Sequence, residues 1–209
     1  MPAFRVRLFS DDREIESRGG KMRDIIITNP KIISDTVKYI EQGFNTNIVL
    51  EEIDSKLKKY FIREIRKKIG AEITSSGKMP SCKKIIESKV RSYHASVVVA
   101  KYLKVIGGGI ESQLKPNCDD VHVAYSFYQD DIKRSHLKDT EMLNINEAWV
   151  LCKGLHHSDI SVVGCHDCGS LFVLMKNWHE RSCVVCFMNN KFGQKGKRKT
   201  SGLSPVVHN

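Results

Sequence analysis

Apolar side chains recur at three- and four-residue intervals from residue 30 onward, which is the period of an amphipathic α-helix. Pro30 suits the first position of such a helix, because proline lacks a backbone N–H and its φ is already helical. Gly43 can end the helix, since glycine readily adopts a left-handed backbone conformation. We therefore predict a first helix between these two residues. Its apolar positions are Ile32, Ile33, Val37, Ile40 and Phe44.

A short acidic helix and a longer basic helix are predicted at about residues 46–70. Asn45 or Asn47 can cap the first of them, and we place Glu51 and Glu52 in its first turn, where the helix dipole favours negative charge. A turn follows, and the basic helix is predicted from about Lys56 to Ile69. Its inward side chains are predicted to be Leu57, Tyr60, Phe61, Ile65 and Ile69, and its other positions include Lys58, Lys59, Arg63, Arg66, Lys67 and Lys68. This order is typical of a helix-turn-helix, although a merely solvated basic face remains an alternative.

Three further helical segments are predicted. A long one runs from Lys83 to about Ile106 and ends at the triple glycine 107–109, which lacks the spacing of a phosphate-binding loop and is predicted to be a turn. Asp119 and Asp120 open the next helix, and Asn144 caps the last one. The fold class predicted is mainly α, with a helical body over residues 31–157 that follows an N-terminal extension, residues 1–30, of no assigned role.

Four cysteines near the C-terminus have the spacing of a metal site: Cys165, Cys168, Cys183 and Cys186. Two Cys-x-x-Cys pairs supply four thiolates to one tetrahedral ion, Zn²⁺ above all, and leave no open position for catalysis. We predict a zinc ribbon over residues 158–190, with a hairpin between the ligand pairs. An iron–sulfur cluster or two redox pairs are the alternatives, and His179 is a weaker candidate ligand. Cys82, Cys118 and Cys152 lack ligand spacing and are predicted to be buried apolar residues.

The charge of the chain indicates a polyanionic partner. Its 209 residues contain 34 Lys and Arg against 24 Asp and Glu, which gives a net charge of +10. Part of the excess lies in residues 191–209, predicted to be a flexible basic tail that binds phosphates, with a disordered tail as the alternative. The candidate DNA-binding residues are Lys58, Lys59, Arg63 and Lys67 in the basic helix and Lys195, Lys197, Arg198 and Lys199 in the tail.

The cysteine count and the hydropathy pattern also bear on where the protein acts. Seven cysteines, an odd number, do not suit a disulfide framework, and we see no opening segment with a charged start and a long apolar core. No stretch approaches the roughly 20 apolar residues of a membrane span. We therefore expect a cytoplasmic protein that does not enter a membrane.

Several short stretches between about residues 31 and 190 resemble, in their shared order, the FlhC family: the C subunit of the flagellar master transcription regulator, with relatives that activate conjugative-transfer operons of plasmids and integrative elements. They are the acidic and basic helix pair ending in Gly70, Gly77-Lys78-Met79-Pro80, His94-Ala95-Ser96, Ala124-Tyr125-x-x-Tyr128, Ala148-Trp149-Val150-Leu151, Cys165-x-x-Cys168-Gly169, Phe172 and Cys183-x-x-Cys186. The resemblance implies a DNA-binding transcriptional activator subunit that holds zinc through the four cysteines, joins a small helical FlhD-like D subunit in a hetero-oligomer and recruits RNA polymerase. Flagellar and conjugative-transfer promoters both remain open.

Other function classes share some of these features. A zinc nucleobase deaminase needs His-x-Glu and Pro-Cys-x-x-Cys, but Gly164 and Ser182 precede the cysteine pairs here. We therefore predict no enzymatic activity. An RNA-binding or ribosome-associated zinc-ribbon protein would share the charge and the metal and would not require the helix pair, so it is the alternative to the activator.

Overall fold

The computed structural model describes residues 30–53, 59–71, 78–108, 115–135, 137, 139–178 and 183–187. These residues are mainly helical, as the sequence predicts, and the N-terminal extension and the basic tail lie outside them. In chain order the elements are α1 (Pro30–Glu41), α2 (Thr46–Ile53), α3 (Lys59–Ile69), α4 (Cys82–Ile85), α5 (Lys89–Val105), α6 (Cys118–Arg134), α7 (Ile145–His156), β1 (Ile160–Gly164) and β2 (Leu171–Met175).

Helix α5 is at the centre of the molecule. It packs against α6 and α7 on one side and against β2 on another. Its Val98, Val99 and Tyr102 are almost completely buried, as are Tyr128 of α6 and Leu151 of α7. Because the hairpin packs on the same helix that contacts α6 and α7, the cysteine-bearing segment is packed against the helical body.

Helices α1, α2 and α3 pack against one another and form a three-helix unit around Phe44, Ile48 and Ile62. Asn45, and not Asn47, caps α2, because its Oδ1 accepts a hydrogen bond from the Asn47 N–H at 2.9 Å. The backbone N–H of Asn45 also donates to Asn146 Oδ1 at 2.6 Å, which ties the unit to the start of α7.

The predicted position of the two glutamates in α2 is wrong. Because α2 begins at Thr46, Glu51 and Glu52 lie towards its C-terminal end instead of in its first turn. Distant lysines compensate for this less favourable position. Lys153 Nζ lies 2.5 Å from Glu51 Oε1, and Lys115 Nζ lies 3.5 Å from Glu52 Oε2.

The inward face predicted for α3 is also partly wrong. Tyr60 is 56% exposed and Ile69 is 38% exposed, whereas Ile62 and Arg66 are buried. The buried guanidinium of Arg66 donates from Nη2 to the backbone carbonyl of Phe44, so it supports the loop between α1 and α2. The three-helix unit covers the side of α3 that carries Ile62, Ile65 and Arg66. The other described basic side chains of α3 are exposed: Lys59, Arg63, Lys67 and Lys68.

The single long helix predicted from Lys83 to Ile106 is interrupted. Helix α4 ends at Ile85, and Ser88 then caps α5 by accepting a hydrogen bond from the Arg91 N–H at 3.2 Å. Three other predicted helix boundaries are confirmed, and the predicted start of the basic helix at Lys56 lies outside the described residues. Gly107 has a φ of 66°, Asp119 and Asp120 lie in the first turn of α6, and Asn144 forms a capping box with Glu147. None of the described helices is both long and apolar enough to cross a lipid bilayer.

Candidate metal centre and cationic helix face

Strands β1 and β2 form an antiparallel hairpin that carries the first cysteine pair in its loop. Gly164 pairs with Leu171, so residues 165–170 connect the two strands. Within this loop, the Cys165 N–H donates to the Ser170 carbonyl at 3.0 Å, and the Gly169 N–H donates to the Cys165 carbonyl at 2.9 Å. Gly169 has a φ of 68°, a conformation in which glycine avoids the strain of a side chain. The hairpin therefore surrounds the first pair, and the prediction of a hairpin between the two pairs is wrong.

The second cysteine pair lies at a single helical turn over residues 184–187. Cys183 precedes this turn, and its carbonyl accepts a hydrogen bond from the Phe187 N–H at 3.0 Å. The Val185 N–H points to Cys183 Sγ at 3.3 Å. A backbone N–H directed at sulfur stabilises a thiolate, because the donor lies next to the negative charge.

The four sulfurs converge on one point. All lie within 4.8 Å of one another, with Cys165 Sγ 3.9 Å from Cys186 Sγ and Cys168 Sγ 3.8 Å from Cys183 Sγ. Sulfurs placed about 2.3 Å from a central zinc at the corners of a tetrahedron are about 3.8 Å apart. All seven cysteines are free thiols, and a disulfide would need sulfurs about 2.05 Å apart. The cluster can therefore hold one metal ion.

The thiols of the cluster differ in acidity. Hydrogen bonds from Ser170 lower the pKa of Cys168 to about 6. Hydrogen bonding with Cys168 raises the pKa of Cys186 to about 12, and burial raises the pKa of Cys183. One thiolate thus makes it harder to form another nearby. Four thiolates at this spacing require a cation between them, which is the charge balance that a divalent metal supplies.

The helical body holds the cluster in place through contacts that sequence reasoning missed. The Val173 N–H of β2 donates to Ser96 Oγ of α5 at 3.0 Å in the protein interior. On the other side of the hairpin, Phe172 and Cys183 form a small apolar cluster with Leu137 and Val184. Ser96 belongs to a stretch that the sequence singled out by resemblance alone, and no local pattern reveals its partner 77 residues away.

The structure places three of the predicted DNA-binding residues on one face of α3. Lys59, Arg63 and Lys67 are all exposed and follow one another at four-residue intervals, so their side chains project on the same side of the helix. Lys58, Lys195, Lys197, Arg198 and Lys199 lie outside the described residues. We call the solvent-facing side of α3 the cationic face; its members are the exposed Lys59, Tyr60, Arg63, Lys67 and Lys68 and the half-buried Glu64.

The remaining thiols belong to the core. Cys82, Cys118 and Cys152 are buried, as the sequence predicts, and burial raises the pKa of each. Neutral thiols of this kind pack as small apolar side chains and are not the reactive form of cysteine. His179 lies outside the described residues.

Comparison with known proteins adds an independent finding. Residues 22–200 match the family model described as FlhC, the flagellar transcriptional activator. The match includes all the described elements and the four cysteines. A comparison with curated proteins finds no match. Because the family model covers most of the 209 residues, the chain belongs to the FlhC family of flagellar transcriptional activators.

Proposed function

We propose that this activator binds double-stranded DNA through the α2–α3 pair and that its four-cysteine cluster holds Zn²⁺. The observation that carries the proposal is the cationic face of α3 within a three-helix unit. Helix-turn-helix proteins use the same arrangement: one side of the second helix packs on its neighbours and the other side enters the major groove. Here Ile62, Ile65 and Arg66 form the packed side.

The cations of α3 suit contacts with phosphates. Lysine and arginine neutralise phosphate charge and release condensed counterions, which supplies affinity and orients the protein on the duplex. The predicted tail, residues 191–209, adds a second basic segment close in sequence to the metal centre. We therefore infer that DNA is held at two places, by α3 in the groove and by the tail on the backbone.

Zinc has a structural role in this proposal. Cys165, Cys168, Cys183 and Cys186 fill all four tetrahedral positions, so no site remains for water or substrate and the ion fixes the shape of the ribbon. We assign residues 158–190 to this ribbon, residues 31–157 to the helical body and residues 1–30 to an N-terminal extension. The closed ligand shell also agrees with a regulator that has no enzymatic activity.

Membership of the FlhC family supports a partner subunit. We infer that the chain acts in the cytoplasm with a small helical D-type subunit, and that the assembled complex recruits RNA polymerase to flagellar or conjugative-transfer promoters. The D subunit would place two or more copies of α3 along one duplex, which raises affinity by multivalent contact.

Footprinting tests the proposal. The chain is purified with and without the small helical protein encoded nearest to it, and DNA upstream of flagellar and transfer operons is digested in its presence. Protection of a discrete site supports the activator. Binding to structured RNA that exceeds binding to every duplex would support the RNA-binding alternative and refute the proposal.

A further inference from the structure

The side chains of the cationic face are arranged around a defined centre. At 100° per residue, Tyr60, Glu64 and Lys67 point most directly away from the buried side of α3. Arg63 and Lys68 lie towards the two edges, and Lys59 lies nearest the buried side. Any flat or grooved partner that approaches α3 from solvent therefore meets Tyr60, Glu64 and Lys67 first.

Two members of this central group do not fit a surface that only binds phosphates. Tyr60 is 56% exposed, which is unusual for an aromatic side chain in the second position of a helix whose other side is packed. Glu64 is half-buried, and among the described residues no cation lies within ion-pair distance of its carboxylate. A carboxylate between Lys67 and Lys68 opposes the approach of DNA phosphates.

The charge of the face favours DNA over a protein as the occupant. Lys59, Arg63, Lys67 and Lys68 are four of the six exposed residues of α3, and protein interfaces are depleted in lysine. Base edges in the major groove offer contact partners to both Tyr60 and Glu64. A carboxylate accepts a hydrogen bond from the amino group of cytosine, and an apolar ring contacts the methyl group of thymine.

We propose that Tyr60 and Glu64 read base edges in the major groove, while the surrounding cations hold phosphates on both sides. Glu64 accepts from the N4 amino group of a cytosine, and Tyr60 packs against the edge of a neighbouring base. This inference rests on the proposed function, because it requires α3 to lie in DNA. It assigns sequence specificity to Tyr60 and Glu64, the two side chains of the cationic face that do not attract phosphates.

The test compares affinity for two duplexes. The full-length chain, purified with any subunit that it retains, selects a preferred duplex from a random pool, and a shuffled duplex of the same length and composition is the reference. Glu64→Gln removes one negative charge, so affinity for the shuffled duplex should rise while the ratio of preferred to shuffled affinity falls about tenfold. Tyr60→Ala should lower this ratio by a similar factor.

Two matched variants separate base reading from general electrostatics. Glu87→Gln makes the same charge change on the exposed loop between α4 and α5 and should leave the ratio unchanged. Lys68→Ala, at the edge of the cationic face, should weaken binding to both duplexes by one common factor. Retained helical circular dichroism and an unchanged thermal midpoint establish that each variant is folded.

The outcomes distinguish this inference from the proposal on which it rests. A wild-type protein that prefers no duplex refutes the proposed function. A wild-type protein with a clear preference, whose ratio is unchanged in Glu64→Gln and Tyr60→Ala, refutes only the base-reading role. Loss of a bound subunit in Tyr60→Ala, with the ratio restored when that subunit is added in excess, would show that the face binds protein instead.

Discussion

His94 lies in the core with both ring nitrogens hydrogen-bonded. Tyr128 Oη accepts from the Leu143 N–H at 2.9 Å and lies 3.0 Å from His94 Nδ1, while His94 Nε2 lies 2.8 Å from Thr140 Oγ1. Because the Thr140 hydroxyl donates to the Leu137 carbonyl, it accepts from His94, and the Tyr128 hydroxyl then donates to Nδ1. The chain of hydrogen bonds is complete for a neutral imidazole. Protonation of Nδ1 would break it.

We therefore predict that His94 makes stability depend on pH. Burial, together with the charge of Arg91, lowers the pKa of His94 from 6.5 to about 4. Between these values the unfolded chain binds a proton that the folded chain does not, so the free energy of unfolding should fall as pH falls from about 6.5 towards 4. Urea unfolding across this range should give a smaller slope for His94→Gln than for the wild type. The exposed His157→Gln is the control, and an identical slope for His94→Gln would contradict the prediction.

A second prediction at the residue scale concerns Gly154 of α7. A Cβ atom on Gly154 would clash with Cys82 Sγ, so a side chain at this position requires the buried thiol to move. Alanine favours the helix by about 1 kcal/mol over glycine, but overpacking costs about 1–3 kcal/mol. Gly154→Ala should therefore reduce the free energy of unfolding.

A double-mutant cycle isolates the cause. Cys82→Ala removes the opposing sulfur, so Gly154→Ala should be neutral or stabilising in that background. Denaturant unfolding of the four proteins gives the coupling energy. Equal destabilisation in both backgrounds would show that the close approach to Cys82 is not responsible.

At the scale of elements, we expect the hairpin and the second cysteine pair to depend on each other through a shared metal ion. We predict one zinc ion per chain and its loss in Cys183→Ser. Metal binding by such sites supplies on the order of 10 kcal/mol of folding free energy, so the ribbon should unfold without it while most of the helical body remains. Metal analysis and far-UV circular dichroism measure the two effects. Cys118→Ala, a buried thiol outside the cluster, should keep its zinc, and unchanged zinc in Cys183→Ser would contradict the ligand assignment.

Helix α3 and the tail should contribute differently to DNA binding. Alanine at Lys195, Lys197, Arg198 and Lys199 should weaken binding to all duplexes alike and flatten the slope of log affinity against log salt by about 0.9 for each phosphate that is no longer neutralised. Lys59→Ala or Arg63→Ala should also lower the ratio of operator to random affinity, because their phosphate contacts hold α3 in the register in which Tyr60 and Glu64 meet base edges. Lys83→Ala, exposed on α4, is the control. Equal weakening of binding to operator and random DNA would show that α3 contacts phosphates without contributing to specificity.

At the scale of the whole molecule, we predict that the chain does not act alone, and exposed apolar side chains of α6 offer one contact surface. Val123 and Phe127 lie four residues apart on α6 and are 42% and 52% exposed. We predict a hetero-oligomer with a D-type subunit whose formation increases DNA specificity. Light scattering of the chain with and without that subunit gives the masses. A homo-oligomer that fully protects its operator without a partner would contradict this prediction and leave those on zinc and DNA unaffected.

The amino-acid sequence was sufficient for the features that depend on neighbouring residues. The capping box at Asn144, the glycine end at Gly107 and the acidic start of α6 each act within one or two helical turns, so their local pattern suffices. The clustering of the cysteines was also predictable. Each Cys-x-x-Cys pair brings two sulfurs together within four residues, and two such pairs at this separation are typical of one metal site. Ser88 gave a local signal as well, and the continuous apolar period across it concealed the break between α4 and α5.

Which surfaces meet depends on tertiary packing. An amphipathic period defines a face but not the neighbour that covers it, so the burial of Arg66 against Phe44 and the exposure of Tyr60 depend on how α1 and α2 pack. The partners of Glu51 and Ser96 lie 102 and 77 residues away, where no local pattern applies. The hairpin also depends on tertiary packing. Phe172 and Val173 of β2 are buried on opposite sides, and the pairing of β2 with β1 places the first cysteine pair in the loop between them.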